Sequence, residues 1–259
     1  MGILKEKMQK CEPIAGVHVS LGDACISELL SNVGFDFLWI DTEHTAIDYQ
    51  ILQNHLIAAR AGGTSTLVRI PWNDRIMAKR VLEMGPTGII FPMINTAEEA
   101  EFAMKSCLYP PYGIRGFGPI RAVYYGQENN DEYIQKKSWE ICRCIQIETA
   151  TAVKNLSESV KNPYIDAYIF GPCDRSGSIG EINNVFGKRT TALIDEAIHI
   201  LKENGKSIGV STGACDIATI QYWHDRGINI ISAGTDHLFL SEMAVKTLNN
   251  IHHVQQSGR

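Results

Sequence analysis

Four short stretches of this chain end in side chains that can bind an ion or move a proton. They are Asp41-Thr42-Glu43-His44, Val68-Arg69-Ile70, Gln146-Ile147-Glu148 and Gly171-Pro172-Cys173-Asp174. Each stretch completes or follows an apolar run that is typical of a buried strand, where an unpaired charge would be costly. We therefore expect these groups to form a polar site, and a barrel of parallel strands would gather them at one mouth.

The first stretch offers a general base. Asp41 lies at the end of an apolar run and His44 follows just beyond it. A carboxylate that contacts an imidazole fixes its tautomer and raises its basicity, so both residues are candidate catalytic groups. The structural alternative is a loop histidine bonded to the backbone, beside an aspartate that caps the next helix. Glu43 is expected to be solvated or to support a metal ligand.

Arg69 interrupts the apolar run that precedes Pro71. The planar guanidinium suits a carboxylate or the oxygen of a developing enolate, which predicts a role in binding or in charge stabilisation. A structural ion pair with an interior acid is the alternative.

Glu148 and Asp174 are candidate metal ligands. Cys142, Cys144, Gln146 and Glu148 alternate along one predicted strand, so they should point the same way, and Asp174 follows the next strand. Two carboxylates on neighbouring strands offer hard oxygen ligands to a divalent ion such as Mg²⁺ or Mn²⁺. Capping of the following helix is the alternative role for Asp174.

Weaker candidates have ordinary structural explanations. Cys173 has no evident activating partner and is expected to be buried, and His18 is typical of a core histidine. Lysines fall on predicted helices and loops, or just before a strand as Lys206 does, whereas a Schiff-base aldolase needs a buried amine.

The elements that must position these groups alternate along the chain. Helix-like stretches, one of them beginning after the N-cap pair Asn73-Asp74, separate most of eight short β-rich runs. This order predicts a (β/α)₈ TIM barrel formed by a single domain over residues 1–259. The rival doubly wound sheet lacks a Gly-x-Gly-x-x-Gly motif after its first strand. The β-rich runs are 16–21, 35–40, 64–70, 88–94, 142–147, 167–170, 207–211 and 229–232.

Composition excludes several classes of partner. The net charge of -5 argues against nucleic acid, and no apolar run approaches the length of a membrane span. Seven scattered cysteines without a Cys-x-x-Cys pair fit a reducing cytoplasm. Glycines, prolines and aromatic residues concentrated at about 107–133 predict a long ordered loop with a function of its own.

Taken together, the motifs resemble those of the HpcH/HpaI family of metal-dependent, class II pyruvate aldolases. The resemblance rests on FDFLWIDTEH at 35–44, VRIPWND at 68–74, GIRGFGP at 113–119, QIET at 146–149 and GPCD at 171–174. These segments occur in the family's order and span nearly the whole chain.

The resemblance implies a (β/α)₈ barrel with a divalent ion (Mg²⁺, Mn²⁺ or Co²⁺) held by Glu148 and Asp174. It further implies that Arg69 contacts the keto or enolate oxygen and that Asp41 orients His44 as the base. Substrate contacts are expected from the remaining site positions: Gly171, Pro172, Cys173 and Ser211.

The implied reaction converts a 4-hydroxy-2-oxo acid into pyruvate, or a close 2-oxo acid, and an aldehyde. The family also implies a homo-oligomer, a hexamer or trimer, in which the C-terminal helix packs on a neighbouring subunit. Two alternatives stay open. One is a CoA-thioester lyase of the malyl-CoA or citrate lyase beta type, and the other is a barrel that binds an oxo acid without turning it over.

Overall fold

Eight parallel strands close into a barrel in the computed structural model, which describes residues 2–257. Each strand pairs with the next along the chain, and β8 pairs with β1. The predicted (β/α)₈ barrel is therefore confirmed. The strands are β1 (Ile14–Val19), β2 (Phe37–Asp41), β3 (Ser65–Arg69), β4 (Gly88–Phe91), β5 (Cys142–Ile147), β6 (Ala167–Phe170), β7 (Ser207–Thr212) and β8 (Ile230–Thr235).

Helices surround the barrel and fill the intervals between strands. They are α1 (Ile3–Gln9), α2 (Ala24–Val33), α3 (Tyr49–Ala61), α4 (Arg75–Glu83), α5 (Ala97–Cys107), α6 (Asn130–Glu132), α7 (Ser138–Glu140), α8 (Ala150–Lys154), α9 (Leu156–Ser159), α10 (Pro172–Ser178), α11 (Lys188–Glu203), α12 (Ile217–Asp225) and α13 (Asp236–Ser257).

Local signals explain several helix starts. The Asp74 carboxylate accepts hydrogen bonds from the backbone N–H groups of Ile76 and Met77, which confirms the predicted cap of α4. Thr96 and Glu99 form a reciprocal capping box at the start of α5. These caps satisfy backbone donors that would otherwise be unpaired in the first turn.

Two apolar layers hold the barrel together. Alternate strand residues pack inside it, as Phe37, Trp39 and Ile169 do, while the other set packs against the helices. Leu4 and Met8 of α1 belong to the inner cluster, so α1 covers one end of the barrel. The polar strand ends identified above are left at the opposite, carboxyl end.

The segment predicted as a long loop has mixed structure. Residues 108–120 have no regular helix or strand, a 3-10 segment spans Arg121–Gly126, and short helical turns follow to Glu140. Arg115 is fully buried in this segment, where its guanidinium lies 4.5 Å from the centre of the Tyr109 ring.

The last helix, α13, differs from the others because very little of its surface packs against the rest of the described chain. Asp236 is its one buried residue, and the apolar side chains of Leu240, Leu248, Ile251 and Val254 are at least about half exposed. Within residues 2–257, no helix is both long enough and apolar enough to cross a bilayer.

Candidate active site

An ion pair between neighbouring strands forms the first part of the site. Asp41 on β2 is the register partner of Arg69 on β3. The guanidinium donates from Nε to Oδ1 of Asp41 at 3.0 Å and from Nη2 to Oδ2 at 2.6 Å. Burial alone would raise the pKa of Asp41, but the hydrogen bonds and charge of Arg69 outweigh it, so the pKa lies below its usual value. Asp41 is therefore an anion that orients Arg69.

Glu43 is a second partner of the same guanidinium. Its Oε2 lies 3.0 Å from Nη1 of Arg69, and only 15% of its side chain is exposed. Burial and the charges of Asp41 and Asp174 raise the pKa of Glu43 to about 7, even though Arg69 opposes the shift. Of the two roles expected for Glu43, solvation does not describe it, because the chain turns back after β2 and places it against Arg69. Support of a metal ligand stays a prediction.

The surroundings of His44 differ from the expected ones. The Asp41 carboxylate accepts a hydrogen bond from the backbone N–H of His44 at 3.4 Å while its oxygens hold Arg69. The His44 ring is exposed, and its Nε2 lies 3.6 Å from Oε2 of Glu43. Asp41 thus positions the His44 backbone, and Glu43 is the acid that the structure places beside the ring. A role for His44 as base stays a prediction.

Glu148 is the buried acid of the site, with only 2% of its surface exposed. Its Oε2 accepts a hydrogen bond from the Met93 backbone at 2.9 Å, and its Oε1 accepts one from Nε2 of Gln146 at 2.6 Å. Burial raises the pKa of Glu148 to about 7, and the charges of Asp174 and Glu43 contribute in the same direction. Two hydrogen bonds therefore fix the position of the Glu148 carboxylate, while burial and the neighbouring acids disfavour its charged form.

Asp174 lies in the first turn of α10 and is exposed. The N-cap of α10 is Gly171, and no side chain caps that helix, so the capping alternative for Asp174 does not describe this structure. Gly171 also makes room for the neighbouring acid, since a Cβ there would lie 2.5 Å from Oε1 of Glu148. The approach of β6 to β5 at this point thus depends on a residue without a side chain.

The residues present fit a divalent cation. Glu148 is close enough to Asp174 and Glu43 for their charges to raise its pKa, and a cation would relieve that repulsion. Between residues 2 and 257, no three His, Cys, Asp or Glu side chains form a closed cage. Two carboxylates that leave most positions to water or substrate match the way Mg²⁺ is commonly held in enzymes.

The other predicted contacts lie around these acids. Cys173 was expected to be buried, but the residue is exposed. Burial of part of its surface, and the charge of Asp174, raise the pKa of its thiol. The raised pKa argues against a thiolate nucleophile. Ser211 on β7 is half-buried, and its Oγ lies 3.3 Å from Nε2 of His18 on β1.

The sequence-based prediction named Glu43 and Gln146 but not the contacts that they make. Extending the two-residue period beyond Asp41 would have brought Glu43 to the site, and a buried amide on the face of Glu148 would have indicated the hydrogen bond from Gln146. The Met93 backbone donor carried no sequence signal, because it depends on a left-handed conformation with φ of 55°.

The chain is similar to known proteins over most of its length. The sequence profile of the HpcH/HpaI aldolase/citrate lyase family matches residues 15–242. A 4-hydroxy-2-oxo-heptane-1,7-dioate aldolase from Shigella sonnei strain Ss046 is 31% identical over 240 residues, covering 93% of this chain and 91% of that protein. A hydroxypyruvate/pyruvate aldolase from Roseobacter denitrificans is 29% identical over 238 residues, covering 91% of each chain.

Solved structures show the same architecture. A crystal structure of an HpcH/HpaI aldolase/citrate lyase family protein from Burkholderia cenocepacia J2315 superposes with a TM-score of 0.91. It covers 97% of this chain and 100% of that chain at 24% identity, so the likeness concerns the fold.

Proposed function

Because this chain belongs to the HpcH/HpaI aldolase/citrate lyase family, we propose that it is a class II carbon–carbon lyase acting on 4-hydroxy-2-oxo acids. The products would be pyruvate, or a close 2-oxo acid, and an aldehyde. Relatives named as aldolases across more than nine-tenths of this chain support this assignment.

The observation that carries the proposal is the cluster of acids around one guanidinium at the barrel mouth. Arg69 bonds both Asp41 and Glu43, and Glu148 and Asp174 lie within electrostatic reach of them. Several acids that raise one another's pKa do not stabilise a packed barrel. Their presence is explained if they bind a cation, which in turn binds an anionic substrate.

We assign the metal to Glu148 and Asp174. When bound there, Mg²⁺, Mn²⁺ or Co²⁺ would supply Lewis-acid stabilisation of negative charge on the substrate's keto oxygen. The hydrogen bonds from Gln146 and Met93 fix the Glu148 carboxylate and so pre-orient one ligand.

Arg69 would share the oxyanion charge, because Asp41 holds its guanidinium rigidly in the mouth. His44 is the group we assign to take the proton from the C4 hydroxyl as the C3–C4 bond breaks. Its exposed ring beside Glu43 leaves it free to reach substrate or an intervening water. Gly171, Pro172, Cys173 and Ser211 remain the proposed substrate contacts.

We also propose a homo-oligomer, a hexamer or trimer, in the cytoplasm. A groove of about 510 Å³ lies between α12 and the outer faces of β1 and β8, where Ile220, Ile231 and Ala233 line it. The apolar face of α13 lacks a partner within the described chain, and the same helix from another copy would suit this groove. All seven cysteines, which lie in the described part of the chain, are unpaired, which supports a reducing compartment.

Metal removal tests the proposal. Protein exhaustively treated with EDTA should no longer exchange the methyl protons of pyruvate with D₂O or condense pyruvate with a panel of aldehydes. Adding Mn²⁺ should restore both reactions, followed by NMR and mass spectrometry.

Borohydride treatment in the presence of pyruvate serves as the control and should leave no covalent adduct. Full activity after chelation, or a lysine trapped by borohydride, would place the protein outside the metal-dependent class.

A further inference from the structure

A buried arginine adjoins both of the proposed metal ligands, and the reaction above gives it no role. Arg175 follows Asp174 in α10, and none of its surface is exposed. Its Nη2 donates a hydrogen bond to the backbone carbonyl of Ile147, the residue that precedes Glu148. The side chain that follows one ligand therefore bonds the backbone that precedes the other.

The Arg175 guanidinium lies in the apolar layer between the barrel and the helices. Its central carbon is 4.3 Å from the centre of the Phe170 ring. Phe170 and Ile147 both belong to the outer apolar cluster, which packs against the helices. Because no water reaches the guanidinium, its charge is screened much less than a charge in the barrel mouth.

The positive charge of Arg175 is poorly compensated. Its Nε and Nη1 have no hydrogen-bond partner within the part of the chain that the structure describes. Burial lowers the pKa of Arg175 to about 9, and the charge of Glu148 opposes that shift. The guanidinium is therefore positive at neutral pH and interacts with Glu148. Burying a charge in this way is costly, so packing alone does not explain it.

The other arginine of the site is in a different electrostatic situation. Arg69 forms ion pairs with both Asp41 and Glu43, so acids offset its charge locally. The charge of Arg175 has no such partner and acts over a longer distance. It would repel a divalent cation held by Glu148 and Asp174, and it would attract a carboxylate bound to that cation.

We propose that Arg175 is a fixed countercharge of the active site, which weakens binding of the metal ion and strengthens binding of the anionic 2-oxo acid. This inference rests on the function proposed above. Arg175 would thus set how the binding free energy is divided between the metal ion and the substrate. It would do so without touching either of them, because its side chain lies outside the barrel wall.

Calorimetric titrations with two ligands of opposite charge test the proposal. Mn²⁺ is titrated into protein freed of metal by EDTA and dialysis, and pyruvate is titrated into protein saturated with Mn²⁺. Arg175→Met and Arg175→Gln remove the charge, whereas Arg175→Lys keeps it. Arg60→Met is the matched control, because Arg60 is an exposed arginine of α3 that packs on the Tyr124 ring. Circular dichroism shows whether each variant is folded.

Both neutral variants should bind Mn²⁺ about tenfold more tightly, because one buried positive charge no longer repels the ion. They should bind pyruvate about threefold more weakly, because its single negative charge is half the charge of the metal ion. Arg175→Lys and Arg60→Met should resemble wild type in both titrations. A purely structural role would weaken both ligands, so the opposite directions separate the two explanations.

Neutral variants that weaken both ligands, or that change neither, would overturn the inference while leaving the aldolase proposal intact. An Arg175→Lys variant that behaves like the neutral ones would do the same, because it keeps the charge. Loss of the fold in both neutral variants would assign Arg175 a structural role instead. If wild type binds no Mn²⁺, the proposed metal-dependent function fails, and the inference fails with it.

Discussion

Arg69 is the residue on which the candidate site is centred. One guanidinium binds Asp41 through two hydrogen bonds and Glu43 through a third contact, which a lysine ammonium could not reproduce with the same geometry. The cost of burying this charge is offset by two acids, and its direction is fixed before substrate arrives. The structural ion pair and the functional role considered from the sequence are thus compatible.

Glu148 illustrates the opposite balance, since it is buried beside other acids rather than beside a base. Folding raises the pKa of the Glu148 carboxyl group from 4.5 to about 7. The folded state therefore disfavours its charged form by about 3 kcal/mol. The folded protein binds more protons than the unfolded chain between these values, so stability without metal falls as pH rises through that window.

We predict that Glu148→Gln is more stable than wild type in EDTA at pH 8, by up to about 3 kcal/mol, and gains little at pH 4.5 or below. Gln146 can accommodate the new amide, because its Oε1 has no partner in the described structure and could accept a hydrogen bond after an amide flip. Urea unfolding at matched protein concentration measures the difference.

Mn²⁺ provides the control for that comparison. The ion should stabilise wild type and leave Glu148→Gln unaffected, because the variant lacks one metal ligand. A wild type that equals or exceeds the variant in EDTA at pH 8 would contradict the assigned burial cost.

At the scale of elements, the site depends on how closely β6 approaches β5. Gly171 has an extended conformation, with φ of -102° and ψ of 90°, that alanine can adopt, so a substitution there tests space rather than backbone strain. The added Cβ would lie 2.5 Å from the Glu148 carboxylate and would force it to move.

We predict that Gly171→Ala folds but binds Mn²⁺ roughly 10–100-fold more weakly, as expected when a metal ligand is displaced. Gly177→Ala is the control in the same short helix, because its Cβ would meet Ile182 at an ordinary 3.6 Å. The control should keep wild-type affinity in a calorimetric titration. Equal affinities for both variants would show that Glu148 does not need this space.

The reliability of local signals also differed between elements. The cap of α4 was predicted because Asp74 bonds backbone groups of its own helix, and the capping box of Thr96 and Glu99 in α5 is equally local. Helices α1, α2 and α10 were missing from the sequence-based assignment. Leu4 and Met8 of α1 pack into the barrel interior, and α10 is only seven residues long, so tertiary contacts rather than strong local patterns account for these two. Helix α2 does have local signals, an Asp23 N-cap and a left-handed Gly34 at its end, which the sequence-based assignment did not use.

At the scale of the whole molecule, α13 is an amphipathic helix whose apolar face packs against no other part of the described chain. Leu240, Leu248, Ile251 and Val254 fall on one face by the helical period, and all are at least about half exposed. A stable soluble chain rarely leaves such a face open to water. In the proposed oligomer, the groove beside α12 of another copy would supply the complementary surface.

We predict that Leu248→Glu shifts the protein to a smaller oligomer or a monomer, because a carboxylate would be buried in an apolar interface. Light scattering after size-exclusion chromatography measures the mass. Asn249→Glu is the matched control on the polar face of the same helix and should keep the wild-type mass. Identical masses for wild type and Leu248→Glu would remove this face from the interface.

By itself, the sequence determined the alternation of strands and helices, the eight-stranded barrel and the family. It also identified Asp41, Arg69, Glu148 and Asp174 as polar groups at strand ends. The alternation of elements and the polar strand ends follow from periodicity and local chemistry. The family follows from the resemblance of the motifs to those of known members.

Only the tertiary structure decided which of these groups meet. Barrel register joined Asp41 to Arg69 instead of to the His44 ring, and the fold placed Glu43 on the same guanidinium and the Met93 backbone against Glu148. Contacts between strands far apart in sequence depend on closure of the sheet, and no local pattern encodes the distances that closure sets.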